Sequence, residues 1–420
     1  MTITGLAWKS LKNRKTTAWL TILSIAVSVA LLLGVERIRT EAKNNFTNTL
    51  SGTDLIVGAR SSPMNLLLYS VFHIGNATNN VSWQTYQELT NDPVVDWAIP
   101  ISLGDSHRGY RVVGTDQQMF AHFEYGNHQT LAIAKGTRFS GVYDAVIGAE
   151  VANKLGYKVD QQIVLSHGVQ SKNLQRHDDK PFKITGILDR TGTPLDRVIL
   201  VSLQGIEALH IDWANGAPPI PGFTRSAAQA ASMNLEPASI TAWLVGLKSK
   251  IAVFHQQRKV NDYRQEALTA ILPGVVLQDL WQLIGSAEKA LLAVSVMVIL
   301  AGLIGMLTTV LTSLGERRRE MAILRSVGAR PGHIFLLMIS ESVIYAFAGT
   351  SFGFMLTYGL LAGLQPLLES QLGLNLSLTW PGTFEWVLAS LVLTSSIILG
   401  AIPAWQAYKT SLSDGLTIKL

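Results

Sequence analysis

Hydrophobic positions along this chain follow two patterns, with long uninterrupted apolar runs near the ends and short alternating or amphipathic segments between them. The 19 residues from Thr17 to Val35 carry no charge. As a helix rising about 1.5 Å per residue they extend roughly 28 Å, close to the thickness of a hydrocarbon core. Uncharged runs also cover Ala290 to Gly315 and Trp386 to Tyr408, and a fourth, Ile334 to Leu364, is broken only by Glu341. Each predicts a membrane-spanning helix. For the first run a cleaved signal peptide competes, because Lys9, Lys12, Arg14 and Lys15 precede it. Its length, and Gly34-Val35-Glu36-Arg37 as a poor small-residue cleavage site, favour a span.

The pattern changes between Ile38 and Glu288. Asp54 to Val57 reads as strand, Trp83 to Leu89 as helix and Trp97 to Ile101 as strand; near the end, Ile240 to Leu247 reads as strand, Val260 to Leu272 as helix and Gly274 to Leu277 as strand. These predict two βαβ-like halves, about 50–120 and 235–285, around a β-rich insertion of about 121–234. Within the insertion, Asp144 to Gly148, Gln162 to Leu165, Phe182 to Leu188 and Val198 to Val201 are strand-like, and Glu150 to Leu155 is a short helix ending at Gly156. The fold class expected is membrane α-helical, with four transmembrane helices, plus an α+β extracytoplasmic domain with a β-rich insertion.

Charge gives the chain a direction. Lys9, Lys12, Arg14 and Lys15 precede the first span, Arg317, Arg318, Arg319, Arg325 and Arg330 separate the second from the third, and Lys409 and Lys419 follow the fourth. Residues 369–385 hold no Lys or Arg. Basic loops stay cytoplasmic, so both termini and the loop after the second span are expected inside and the large domain outside. The expected order is a cytoplasmic amphipathic segment 1–16, the first span and start of a stalk 17–37, the external domain 38–288, spans 289–315, 333–366 and 385–408, a cytoplasmic loop 316–332, an external loop 367–384 and a cytoplasmic tail 409–420. The composition agrees with a part-membrane, part-soluble protein: 48% of residues are apolar and 15% charged. The net charge of +5 gathers beside the apolar runs rather than on a soluble face, which argues against nucleic acid as a partner. There is no cysteine, which excludes disulfides, thiolate metal sites and a cysteine nucleophile.

Candidate chemistry is sparse. No Gly-x-x-x-x-Gly-Lys-Ser/Thr phosphate-binding loop occurs, and no set of nucleophile, base and orienting group stands out; Asp189, Arg190 and Asp196 read as turn or salt-bridge residues. His107, His122, His128, His167 and His177, with Asp178 and Asp179, are residue types that suit zinc, but their spacing fits no tight ligand motif and surface histidines are the preferred reading. Glu341, one or two turns from the cytoplasmic end of its span, reads as hydrated or paired with Arg325 or Arg330. Gly349-x-x-x-Gly353 and Gly359-x-x-x-Gly363 permit close helix packing, within one subunit or between two. After the second span, arginines at the membrane boundary lead into Met321, Ile323, Leu324 and Val327 on a short helix ended by Gly328. Two readings stand: an apolar ridge for a groove on another protein, or a basic anchor to anionic lipid.

Three stretches resemble the MacB, LolC/LolE and FtsX-like permeases, a superfamily of mechanotransmitting ABC transporters. They are the loop from Gly315 to Ala329, the closing segment Ile402-Pro403-Ala404-Trp405-Gln406-Ala407-Tyr408-Lys409, and Val113-Gly114-Thr115-Asp116 together with Ile147 to Gly156. The chain departs from the pattern at Asp160-Gln161-Gln162, where a Gly-Asp pair is usual, and in the polar stretch from Lys172 to Lys180. The resemblance implies a non-catalytic permease subunit of a bacterial inner membrane. It implies that Arg319, Glu320, Met321, Ala322, Ile323, Leu324, Arg325, Val327 and Gly328 form a coupling helix that receives the stroke of a cytosolic ATPase subunit. ATP and Mg would then sit on that partner, with no cofactor on this chain. It further implies a second permease copy, contact with membrane lipid and a periplasmic or outer-membrane partner, for export, extraction or transfer of a substrate. An FtsX-like transmitter that controls an envelope enzyme without transport, and a component of a zinc-handling system, are the alternatives.

Overall fold

In the computed structural model the described residues are 15–47, 49–168, 177–213, 225–316, 321, 323, 325–372 and 380–409. They divide into two compact units: one gathers the chain up to Glu41 and from Ile284 onward, the other is Ala42–Leu283.

The first unit is helical. Four helices are long and apolar enough to cross a membrane: Lys15–Thr47, Pro273–Glu316, Pro331–Leu372 and Thr383–Lys409. Their shared core holds Ile25, Val29 and Leu33 from the first, Leu303 and Met306 from the second, Met338 and Tyr345 from the third, and Leu388 and Val392 from the fourth. Outward-facing Met297, Met355 and Ile398 are more than half exposed, as lipid-facing side chains are in a membrane bundle. Where helices approach most closely the small residues decide. A Cβ on Gly349 would come 2.7 Å from the Ile25 side chain, and one on Gly353 2.8 Å from Val29. Among the described residues nothing lies within 4 Å of a Cβ on Gly359 or Gly363. The first pair therefore packs the third helix against the first within one subunit. A polar clasp joins the first, third and fourth helices: Arg37 Nε donates to Glu385 Oε1 at 2.8 Å, Arg37 Nη2 to Tyr358 Oη at 2.7 Å, and Tyr358 Oη to Glu385 at 3.3 Å. Glu341 is buried ten residues past Pro331, about 15 Å from the start of its helix.

The second unit is built on one large sheet. In chain order its strands and the short ones beside it are β1 (Leu55–Ala59), β2 (Val81–Ser82), β3 (Val95–His107), β4 (Tyr110–Thr115), β5 (Glu124–Tyr125), β6 (Gln129–Thr130), β7 (Ile133–Gly136), β8 (Asp144–Ile147), β9 (Gln162–Ile163), β10 (Ser166–His167), β11 (Phe182–Leu188), β12 (Val198–Ser202), β13 (Ser239–Ile240), β14 (Ala242–Leu247) and β15 (Leu268–Ile271). The main path runs β15-β1-β14-β3-β4-β12-β8-β11-β7. Each of its first four strands is antiparallel to its neighbour, so β1 runs parallel to β3 across the intervening β14, and β14 parallel to β15 across β1. The two βαβ-like halves thus interlock as split βαβ units of ferredoxin-like type instead of standing apart. Helices Trp83–Thr90 and Val253–Asn261 cover the same face, where Tyr86, Leu89, Val253 and Val260 meet Leu55, Trp243 and Val245.

The β-rich part begins earlier than expected. β3 is 13 residues long; its first half pairs with β14, and from Ser102 onward it pairs with β4. The same strand thereby serves both parts, and one core layer runs through both, from Ile56 and Leu244 to Val146 and Leu200. At the other end the expected helix Val260–Leu272 and strand Gly274–Leu277 are replaced by helix Val253–Asn261, β15 and the start of the second long helix. Pro273 fixes the φ of a first helical position, which converts the β-branched Val275-Val276 run into helix.

Candidate functional site

The loop after the second span is described at Met321, Ile323 and from Arg325 on. Val327 N–H donates to Ile323 O at 3.1 Å and Gly328 N–H to Arg325 O at 3.0 Å, closing a helical turn that ends at Gly328, whose φ of +104° is open to glycine and strained for side-chain-bearing residues. Ile323 is 52% exposed and Val327 83% exposed, one turn apart on one face. Met321, expected on the same ridge, instead turns into the core of the helical unit, so the apolar face is narrower than the sequence suggests. Arg319, Glu320, Ala322 and Leu324 lie outside the described residues.

In the sheet-built unit the structure gathers a second group. The β3–β10 pairing sets His167 directly across from Asp105, with His167 Nδ1 3.0 Å from Asp105 Oδ1. His177 N–H donates to Leu165 O at 3.0 Å, and His177 Nε2 lies 3.2 Å from His167 Nε2. His210 ends the helix Leu203–His210, whose N-cap Ser202 accepts from Gly205 N–H, and its Nε2 lies 3.6 Å from Asp105 Oδ1. Trp213 closes one side, its ring centroid 4.3 Å from that of His167 and 4.9 Å from that of His177. The next shell is fixed as well: Lys180, 1% exposed, donates to Asp212 at 2.7 Å, and Asp212 also accepts from Arg225. Burial works against an ionised Asp105, but His167 and His210 outweigh it and hold the carboxyl well below the usual range. Burial and the two neighbouring imidazoles push His177 down to about 4, which leaves it neutral.

The other singled-out histidines are elsewhere. His107 Nδ1 bonds to Val164 O and its Nε2 to Tyr157 Oη, His122 stacks on Trp97, and exposed His128 pairs with Glu124. Asp196 accepts from the backbone of Thr191 and Gly192, as a turn residue does. A cleft of about 540 Å³ lies in the same domain, lined by Asn76, Asn80, Arg111 and Thr241, with Arg111 donating to Asn76 at 3.2 Å.

Residues 18–236 match the MacB-like periplasmic core domain, and residues 292–412 match the FtsX-like permease C-terminal family. The first match covers more than half of the chain. The chain belongs to the MacB/FtsX family of ABC transporter permeases. Among similar proteins, the macrolide export ATP-binding/permease protein MacB of Syntrophobacter fumaroxidans is 29% identical over 123 residues, 28% of this chain and 16% of that protein. The ABC transporter permease YtrF of Bacillus subtilis is 26% identical over 144 residues, 31% of this chain and 32% of its own. YknZ of the same organism, an ABC transporter permease, is 32% identical over 124 residues, 28% of each. The chain therefore aligns with no more than 32% of the length of these relatives. The crystal structure of the extracellular domain of the ABC-type transporter YknZ aligns over 52% of this chain and 99% of that domain, at a TM-score of 0.31 and 11% identity.

The permease is thus a membrane protein with four apolar helices and an extracytoplasmic domain. Two of its features escape sequence reasoning. Asp105 and His210 belong to no local motif with His167 and His177; the one readable signal is that His210 ends an amphipathic turn begun by the capping pattern Ser202-Leu203-Gln204-Gly205. Arg37 and Glu385 sit at opposite ends of the sequence, and only helix packing makes them partners.

Proposed function

We propose that this permease couples ATP hydrolysis by a separate ATPase subunit to movement of its extracytoplasmic domain. Both termini and the loop 316–332 then face the cytoplasm of a bacterial inner membrane, and two copies work as a homodimer. The observation that carries the proposal is the exposed pair Ile323 and Val327 on a glycine-terminated turn between two membrane helices. Two apolar side chains one turn apart in water have little to gain by staying there. Burying the exposed part of each in a groove is worth about 1–3 kcal/mol, which favours docking against a partner. The basic flank from Arg317 to Arg319 supports the cytoplasmic side for this turn. The sequence holds no phosphate-binding loop, so ATP and Mg are assigned to the partner subunit. Relatives named for macrolide export make an amphiphilic compound, exported or handed to an envelope partner, the working class of substrate.

The test is Ile323→Asp combined with Val327→Asp. The double variant is expected to reach the membrane in normal amount while stoichiometric co-purification of a cytosolic ATPase falls at least about tenfold. Wild-type co-purification and wild-type substrate-stimulated ATP turnover in the variant would sink the coupling assignment.

A further inference from the structure

Asp105, His167, His177 and His210 each offer one ligand atom, and these four atoms lie within 4.8 Å of one another. They come from β3, β10, the segment after residue 176 and the end of a helix, so the grouping is a product of the fold. Their mutual contacts leave two of these atoms unsatisfied. Asp105 Oδ1 and His210 Nε2 are buried and close to other members, yet neither makes a hydrogen bond of acceptable geometry. The two facing Nε2 atoms of His167 and His177 can share at most one proton between neutral rings. Several lone pairs thus converge on one point, a situation that native interiors resolve with a bound water or ion.

The chemistry of the set selects the ion. Three imidazoles and one carboxylate suit a borderline divalent metal, while calcium and magnesium call for more oxygen ligands and copper(I) for sulfur. A tetrahedral zinc ion with bonds of about 2.0–2.1 Å needs ligand atoms about 3.3 Å apart, so small side-chain rotations bring this cluster to that geometry. The neighbouring ammonium of Lys180 does not oppose a cation, because it is paired to Asp212. Partial exposure of His167 and His210 gives an ion a way in.

We propose that Asp105, His167, His177 and His210 form a zinc site in the extracytoplasmic domain of this permease. A bound ion ties the end of β3 to β10, to the segment at His177 and to the helix Leu203–His210, and so stiffens the β-rich part in response to metal. The proposal is independent of the coupling reading, and its readouts do not involve ATP.

The experiment uses the full-length permease in detergent with a tag that contains no histidine, stripped with chelator and exchanged into Zn²⁺. About one zinc per chain is expected by mass spectrometry of the metal, with micromolar or tighter affinity and a raised melting temperature. His177→Gln with His210→Gln should weaken zinc binding at least about 100-fold, whereas His128→Gln should leave it unchanged. Wild-type protein loaded with Co²⁺ should show the intense visible bands of a four-coordinate ion, a readout that does not depend on how the variants fold. Wild-type protein that retains no zinc, a double variant that retains as much as wild type, or only the weak bands of six-coordinate cobalt would each overturn the site.

Discussion

Asp116 follows β4 at the end of the Val113-Gly114-Thr115-Asp116 motif, and its Oδ1 accepts the N–H of Gln118 at 3.0 Å. Burial pushes its carboxyl up from 3.8 to about 6, and the backbone donors offset only part of that. A raised carboxyl stabilises the fold in its protonated form. Its contribution is fully present below about pH 3.8 and is lost as the pH climbs through 6, because the unfolded chain gives up the proton more readily. Asp116→Asn keeps the acceptor and removes the ionisation. The variant should match wild type near pH 4 and exceed it by about 1–3 kcal/mol above pH 7, the lower figure allowing for solvent around a half-buried group. Melting curves of the extracytoplasmic domain across pH would read this, and a gap that does not change with pH would refute it. The motif is visible in the sequence, but its ionisation is not, since desolvation is set by residues distant in the chain. The metal cluster has the same character. His167 and His177 are close enough in sequence to be noticed together, but the β3–β10 register that adds Asp105 has no local signature.

At the level of elements, the membrane helices were readable because the bilayer imposes a minimum apolar length, and no soluble alternative accommodates the uncharged runs at Thr17 and Ala290. Short apolar runs lack that constraint. Val275-Val276 has the composition of a strand and becomes helix because Pro273 starts one. Which glycines serve packing inside the subunit is likewise decided by the partner helix. Gly349→Val should destabilise the helical unit by several kcal/mol, since the new side chain meets Ile25 and the carbonyl of Ile22. Gly359→Val finds open space in this subunit and should leave its melting temperature within about 2 °C of wild type. Thermal unfolding of the two variants in detergent separates the cases; equal destabilisation would mean that Gly359 also packs closely, against a second copy.

For the whole molecule, the proposed topology rests on where cations cannot easily go. Moving Arg325 and Arg330 across the membrane would leave their charges on the trans side against the positive-inside bias, while 369–385 carries no Lys or Arg to resist translocation. The four helices then return the chain to its starting side, and the sheet-built unit between the first and second is the part left outside. Because the chain has no cysteine, the arrangement can be tested with single introduced thiols and an impermeant maleimide. Ser249 and Ser326 are both exposed, one beside β14 and the other in the loop after the second span. Ser249→Cys in intact spheroplasts should be labelled at once, and Ser326→Cys only after the membrane is permeabilised. The opposite pattern would put the Ile323 and Val327 face outside, beyond the reach of any cytosolic ATPase, and the coupling proposal would fall with the topology. The zinc site would survive that result, since its ligands need only each other.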